Sequence, residues 1–151
     1  MRNVLLVLAA ALVLGLTSVV LLSQRPGPIG LVGGALAPCT GGSCVNSQIG
    51  PPEHRVEPLY VGPEVDRAWQ ALQRRTAEDG RLRLGRVEGD WMHLEWRPAG
   101  PLWVDDIEVL RMHAGGVLHV RATSRVGAAN FGSHRRAVEE LRRGLVEATA
   151  R

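Results

Sequence analysis

The chain has 151 residues, 45% of them hydrophobic, and a formal net charge of +3. All 18 basic residues are arginines, and the 16 that follow residue 25 nearly balance 15 acidic residues. A domain this close to neutral lacks the basic surface that binds nucleic acid phosphates, so a nucleic-acid-binding function is excluded.

An apolar segment begins the chain. Residues 4–22 are 19 residues without a charge. As a helix they would span about 28 Å, close to the bilayer's hydrocarbon thickness of about 30 Å. We therefore predict that residues 1–25 form a single-span anchor in a bacterial cell membrane. Arg2 favours a cytoplasmic N-terminus, which would place the rest of the chain outside the cytoplasm.

Two other interpretations of this segment remain. A cleaved signal peptide has a shorter apolar stretch, of about 7–15 residues, followed closely by small residues at the cleavage site. Residues 35–37 read "ALA", but they lie far beyond the apolar segment and Pro38 follows them. The other interpretation is the core helix of a soluble protein.

Residues 26–61 form a segment rich in proline and glycine. Seven of the nine prolines lie between Pro26 and Pro63, together with eight glycines. This composition predicts an irregular tether with turns rather than helices or strands.

The tether contains both cysteines of the chain, Cys39 and Cys44, in the sequence "CTGGSC". The two glycines between them allow the chain to turn and the sulfurs to meet. We predict a disulfide, which agrees with an oxidising compartment, and free thiols are the alternative. A structural metal site needs further ligands, and a redox pair needs a shorter spacing, so neither a metal nor a cofactor is predicted.

Residues 62–151 have the patterns of a folded domain. A helix is predicted between Pro63 and Gly80, because apolar residues recur there at helical spacing. Four strand-like runs follow, at residues 81–88, 91–97, 102–112 and 117–125, and then a second helix over residues 133–150. This order predicts an α+β fold with a four-stranded antiparallel sheet.

The third run carries two adjacent carboxylates, Asp105 and Asp106, among apolar residues. Burying an unpaired carboxylate costs several kcal/mol, so each needs a partner. If "AGG" at residues 114–116 is a hairpin turn, Asp105 lies opposite Arg125 and Asp106 opposite Ser124, to within one residue. A carboxylate–guanidinium pair across two strands would explain the acids.

The apolar phase of this run also slips at the two acids. Leu102 and Val104 are in phase with each other, whereas Ile107 and Val109 are one residue out of phase with them. One extra residue at the acids would restore a common face, which predicts a β-bulge there.

Other candidate sites have simpler explanations. The five histidines show no close spacing on one helix face, so no metal site is predicted. Ser124 could form a nucleophilic triad with His119 and either aspartate, but no nucleophile elbow surrounds it, and no catalytic residue is predicted. The arginines of the last helix, including Arg135, are explained by a solvated face, and contact with an anion or a lipid headgroup is the alternative.

Several motifs are similar to one known family. "WVDDIEVL", "GGVLHVRATSRVG" and "FGSHRRAVEELRRGL", with "CTGGSCVNSQ" upstream, resemble the bacterial and plastid family called domain of unknown function fourteen ninety-nine. The resemblance runs from about Pro38 to Arg143. It implies an envelope or lumenal location, often with an N-terminal anchor or signal, and it implies no established activity.

The resemblance also selects candidate binding residues. The positions that match its motif are Asp105, Asp106, Arg121, Ser124, Arg125, Gly127, Gly132, Arg135 and Glu139. Three positions depart from it: Asn130 stands where the family usually has Asp, His134 where it has Asn, and Ala137 where it has Arg. In the cysteine segment, Ser43 and Asn46 also differ from the usual Asn and Ser. The candidate site consists of Asp105, Asp106, Arg121, Ser124, Arg125, Asn130, His134 and Arg135.

These observations predict a membrane-anchored domain outside the cytoplasm that binds a protein or another component of the envelope without catalysis. The alternative is an envelope enzyme or small-ligand binder that uses the Asp/Arg cluster. A deep pocket lined by Asp105, Asp106 and Arg125 would favour the alternative. A cluster closed on itself would favour the binding module.

Overall fold

A computed structural model describes residues 2–97, 103–126 and 132–149. The chain begins with helix α1 (Arg2–Ser23), which within these residues is the one helix long and apolar enough to cross a membrane. None of its most apolar window is buried, and only Ser23 at its end is covered by the rest of the protein. An apolar helix without a protein partner is what a membrane span requires.

The remaining elements alternate short strands with two amphipathic helices. In chain order they are β1 (Leu31–Val32), β2 (Ala35–Leu36), β3 (Cys44–Asn46), β4 (Leu59–Tyr60), α2 (Val65–Glu78), β5 (Leu82–Glu88), β6 (Trp91–Trp96), β7 (Asp105–Met112), β8 (Val117–Ser124) and α3 (Ser133–Thr149). Strands β1 and β2 form a hairpin of their own, and the other six form one antiparallel sheet. The predicted α+β class and both helices of the domain are confirmed.

The predicted count of four strands is wrong, because the sheet has six. The order is β3-β8-β7-β6-β5, and β4 pairs with β8 beside β3. Both additional strands, β3 and β4, come from residues 26–61. Strands of two or three residues are too short to show the alternation of apolar and polar residues that predicts a strand. They pair with backbone groups of β8 that would otherwise form an open edge.

The predicted bulge at the two acids is also wrong. Asp105 pairs with Ser124 and Asp106 with Thr123, and the register continues along β7 without a shift. The acids need no bulge because every residue from Asp105 to Leu110 is buried, so both faces of β7 are covered. The register shift lies instead between Leu84 and Arg86 in β5.

The two faces of the sheet have different covers. Helices α2 and α3 pack on one face and form the main hydrophobic core with residues such as Leu94, Ile107 and Val120. The other face is covered by residues 24–37, which we call the strap. Leu36 of the strap packs there on Trp91 and Leu110, and most of the other buried residues of this face are polar.

Candidate functional site

The two aspartates point to opposite faces of the sheet, as strand geometry requires. Asp106 lies on the face beneath the strap and is fully buried, whereas Asp105 lies on the helix face and is 8% exposed. The register places Glu95 and Thr123 on either side of Asp106 on the same face. The strand therefore divides the acid pair into two separate sites.

Asp106 is surrounded by donors. His93 Nε2 lies 2.7 Å from its Oδ1, and Arg125 donates to the same oxygen from Nη2 at 2.7 Å and from Nε at 3.0 Å. The backbone N–H of Gly27 in the strap donates to Oδ2 at 3.0 Å. Burial alone would raise the pKa of Asp106, but these hydrogen bonds and the charge of Arg125 outweigh burial and lower it.

Arg125 connects Asp106 to the end of helix α1. Its Nη2 also donates to Glu95 Oε1 at 2.8 Å, and its Nη1 donates to the carbonyl oxygens of Ser23 at 3.3 Å and Gln24 at 3.0 Å. Burial would lower the pKa of Arg125, but the two carboxylates raise it. The guanidinium thus neutralises two acids and binds carbonyls that the end of α1 leaves without partners.

A second buried ion pair lies one row further along the same face. Glu108 and Arg121, 1% and 2% exposed, form a short ion pair between directly opposed positions. Glu108 Oε1 also accepts hydrogen bonds from Trp91 Nε1 at 3.1 Å and from the backbone N–H of Gly30 at 2.6 Å. Arg121 donates to the carbonyl oxygen of Pro28 at 3.3 Å. The strap therefore completes both ion pairs with its backbone.

Asp105 belongs to a different group of residues. Ser124 Oγ donates to Asp105 Oδ1 at 2.8 Å, and His134 Nε2 lies 3.1 Å from Ser124 Oγ and 3.5 Å from Asp105 Oδ2. Serine and aspartate face the same ring nitrogen, whereas a catalytic triad places them on different nitrogens. His119 lies elsewhere, 3.2 Å from Ser47 Oγ through its Nδ1. This geometry joins β7, β8 and α3 by hydrogen bonds and does not relay a proton.

The remaining candidates lie apart from both groups. Arg135 donates to the carbonyl oxygens of Glu53 and Arg55, each at 2.7 Å, so it joins α3 to the segment before β4. Asn130 lies outside the described residues. The structure thus brings Asp106 and Arg125 together and separates them from Asp105, Ser124 and His134.

Two residues at the centre of the polar face, His93 and Glu108, are not among the candidates that the sequence suggests. The sequence does contain a pattern that indicates them. His93 and Glu95 in β6, and Asp106 and Glu108 in β7, alternate with apolar residues. A polar period of two beside an apolar one indicates a sheet with a polar second face.

A cavity of about 270 Å³ lies between this face and the cysteine loop. Its lining comprises Gly27, Pro28, Thr40, Gly41, Gly42, Ser43, Arg121, Thr123, Ser124 and Arg125, and neither aspartate contributes to it. Ser43 Oγ and Arg121 Nε are buried and have no hydrogen-bond partner in the described part of the chain. Both residues belong to the lining of the cavity.

The predicted disulfide is confirmed, because Cys39 and Cys44 are bonded. It closes the loop that forms one wall of the cavity, and Ser43 O accepts hydrogen bonds from Ser124 N at 3.1 Å and Thr123 Oγ1 at 3.2 Å. Within the described ranges, no group of three or more His, Cys, Asp or Glu side chains could hold a metal ion.

Replacing both Cys39 and Cys44 by serine should lower the free energy of unfolding by roughly 2 kcal/mol, since the unfolded chain regains the entropy of a short loop. Urea unfolding in detergent, with the reduced wild type alongside, measures this loss. An unchanged midpoint would show that the disulfide contributes nothing to stability.

Gly85 permits the close approach of His93. A Cβ added at Gly85 would overlap the His93 ring, whose other nitrogen contacts Asp106. We expect Gly85→Ala to cost about 1–3 kcal/mol of stability, as overpacking does in a buried site. Gly80→Ala is the matched control, because a Cβ there meets no atom within 4 Å. Equal melting temperatures for the two variants would contradict this explanation of Gly85.

The stability should fall in acid in two stages. Asp106 and Glu95 have pKa values lowered from 3.8 and 4.5, so their contribution is complete above those values and is lost as pH falls through the lower pKa values of the folded state. Burial lowers the pKa of His119 from 6.5, so protonation of the unfolded chain begins to destabilise the fold below that pH. Melting temperatures across this range should show both stages, and His119→Gln should remove the upper one. A wild-type melting temperature independent of pH would contradict both assignments.

The family of the chain follows from comparison with known proteins. The family model described as "Protein of unknown function (DUF1499)" matches residues 35–145. Searches of curated proteins and of solved structures found no match. The match covers most of the chain and includes both ion pairs and the disulfide loop. The chain therefore belongs to this family of proteins of unknown function.

Proposed function

We propose that this protein is a single-pass protein of a bacterial cell membrane whose domain lies outside the cytoplasm and binds an envelope partner without catalysing a reaction. The apolar α1 supports the anchor, and the disulfide supports an oxidising compartment. Arg2 before the span supports a cytoplasmic N-terminus.

The main support for this proposal is that the buried acids Asp106 and Glu108 have their hydrogen-bond partners within the protein. Asp106 accepts hydrogen bonds from three residues and Glu108 from three, and both side chains are at most 1% exposed. A catalytic or ligand-binding acid must be reachable, whereas these acids are satisfied beneath the strap. Neither acid is therefore accessible to a substrate or ligand, and the outer surface of the domain is what a partner would meet.

The strap also supports an anchor over a cleaved signal peptide. Cleavage after Ala37 would remove Gly27 and Gly30, whose N–H groups donate to Asp106 and Glu108. It would also remove Leu36, which covers Trp91 and Leu110. Two buried acids would lose donors, and apolar surface would be exposed to water. The domain is more stable with these residues attached.

Topology and fractionation test the location. A reporter active only outside the cytoplasm should work when it is fused after Arg151 and fail when it is fused before Met1, and the protein should stay in the membrane fraction. The opposite reporter pattern, or protein in the soluble fraction alone, contradicts the proposal. Crosslinking in intact cells followed by purification from membranes would then identify the partner.

Catalysis has a separate test. Ser124→Ala removes the most nucleophile-like hydroxyl near His134. A binding module should complement deletion of the gene normally with this variant, provided that the protein level is unchanged. Loss of complementation at a normal level would favour an envelope enzyme.

The cavity supports a second candidate, a small-ligand binder. Two arginines, Arg121 and Arg125, line the cavity, so the ligand would carry an acceptor oxygen such as a carboxylate. Small carboxylates should raise the melting temperature of the wild type in a concentration-dependent way and raise that of Ser43→Ala less. A melting temperature that carboxylates leave unchanged rejects this candidate.

A further inference from the structure

The last turn of α1 is bonded directly to one end of the sheet. Val104 N, at the start of β7, donates to Ser23 Oγ at 2.9 Å. Arg125, just beyond β8, donates to the carbonyl oxygens of Ser23 and Gln24. Arg97, just beyond β6, donates to Gln24 Oε1 at 3.5 Å. Residues next to three neighbouring strands, β6, β7 and β8, thus bind the end of the helix. No flexible linker separates the helix from the domain.

This connection is rigid because its main donor, the Arg125 side chain, is fixed in one conformation. The Arg125 side chain is 1% exposed and is held by Asp106 and Glu95. Ser23 is 1% exposed, whereas the apolar part of α1 is uncovered. The helix therefore leaves the domain at this end of the sheet, and the boundary between apolar helix and domain falls within about one turn of Ser23.

An exposed tryptophan lies beside that boundary. Trp103 precedes Val104 in the chain and is 42% exposed, whereas Trp69, Trp91 and Trp96 are at most 5% exposed. Tryptophan is enriched at the level of the lipid headgroups, where its ring is half in an apolar and half in a polar environment. Arg25, two residues after the helix, is exposed as well and can meet headgroup phosphates.

We infer that this end of the sheet lies in the headgroup layer of the bilayer that α1 spans, with the Trp103 indole among the headgroups and Arg25 against their phosphates. The inference rests on the proposed anchoring and extends it. An anchored domain on a loose tether would sample many heights and orientations. This domain has a single height and a single orientation above the bilayer, so the same outer surface always faces away from the membrane.

Quenching by brominated lipids tests the contact. The full chain is reconstituted in phosphatidylcholine vesicles whose acyl chains carry bromine either near the glycerol or near the terminal methyl. Trp103→Phe is the matched variant, because the ring changes at an exposed position while the three buried tryptophans remain. Shallow bromine should quench the wild type more strongly than deep bromine, and this difference should be lost in Trp103→Phe.

A second variant tests the rigid connection. A flexible Gly-Ser segment inserted between Leu22 and Ser23 leaves the contacts of the strap and the domain unchanged but separates them from the span. Quenching should fall to the level of Trp103→Phe. Quenching that persists at the wild-type level would overturn the rigid connection.

Flotation of the same vesicles separates this inference from the proposed anchoring. Protein that fails to float with the vesicles contradicts the anchor itself. Protein that floats but shows equal quenching in the wild type and Trp103→Phe overturns the lipid contact alone. Protein that floats, and whose quenching is lost in Trp103→Phe, supports both the anchor and the lipid contact.

Discussion

Replacing Arg125 by alanine should lower the free energy of unfolding by about 3–5 kcal/mol, because a fully buried Asp106 loses its cationic partner. Asp106→Ala should be similarly costly, since it leaves a buried guanidinium with only Glu95 as its acid partner. The double variant should cost less than the sum of the two single variants, because both remove the same interaction. Urea unfolding of all three variants in detergent measures this coupling.

Asp105 provides the matched control for this cycle. It is adjacent in sequence but faces the other side of the sheet, where it contacts Ser124 and His134. The effects of Asp105→Ala and Arg125→Ala should therefore add. Additivity in the Asp106 cycle, or strong coupling in the Asp105 cycle, would contradict the pairing described above.

Arg121→Ala should be the second severe substitution, at about 3–5 kcal/mol, because it leaves Glu108 charged and buried. Combining Arg121→Met with Glu108→Gln should recover most of this loss, since an uncharged pair needs no compensating charge in a dry site. Differential scanning calorimetry of the single and double variants measures both effects.

The control for this pair is an exposed ion pair. Arg67 lies 3.8 Å from Glu64, and both side chains are about half exposed. Arg67→Ala should cost at most about 1 kcal/mol, since water screens the pair. If Arg121→Ala is as mild as Arg67→Ala, the buried pair is not an important source of stability.

That Arg125 pairs with one of the two aspartates could be predicted from the sequence, because a hairpin turn fixes the register of its two strands. Which aspartate it binds could not be predicted, since the expected register placed Asp105 opposite Arg125 and Asp106 opposite Ser124, whereas Arg125 binds Asp106 and Ser124 binds Asp105. Counting from the turn placed the acids within one residue of their true partners. Arg125 then reaches Asp106 diagonally, from two residues beyond Thr123 on the same face. Residue type and spacing were sufficient to predict the ion pair but not to assign it to one aspartate, because a register error of one residue exchanges the two faces of the strand.

The strap could not be predicted in the same way. Gly27 and Gly30 bind the acids through backbone N–H groups, which every residue except proline possesses, so no side chain indicates the contact. The bulge was misplaced for a related reason. A strand covered on both faces by different layers has no single apolar phase, and the phase slip at Asp105 marks a change of environment rather than an extra residue.

The sheet order has a consequence for the time course of folding. The hydrogen bonds of the strap to β7 and β8, and to the residues just beyond β6 and β8, join positions 73 to 101 residues apart. A chain made from its N-terminus therefore exposes the strap long before its binding face exists. Strand β8 pairs with β3, β4 and β7, and among the described residues it is the last strand to be synthesised. Such distant pairings slow folding, because the loop-closure entropy is lost before the contacts form. The nascent domain should therefore remain protease-sensitive until β8 has been synthesised, and then close in one late step.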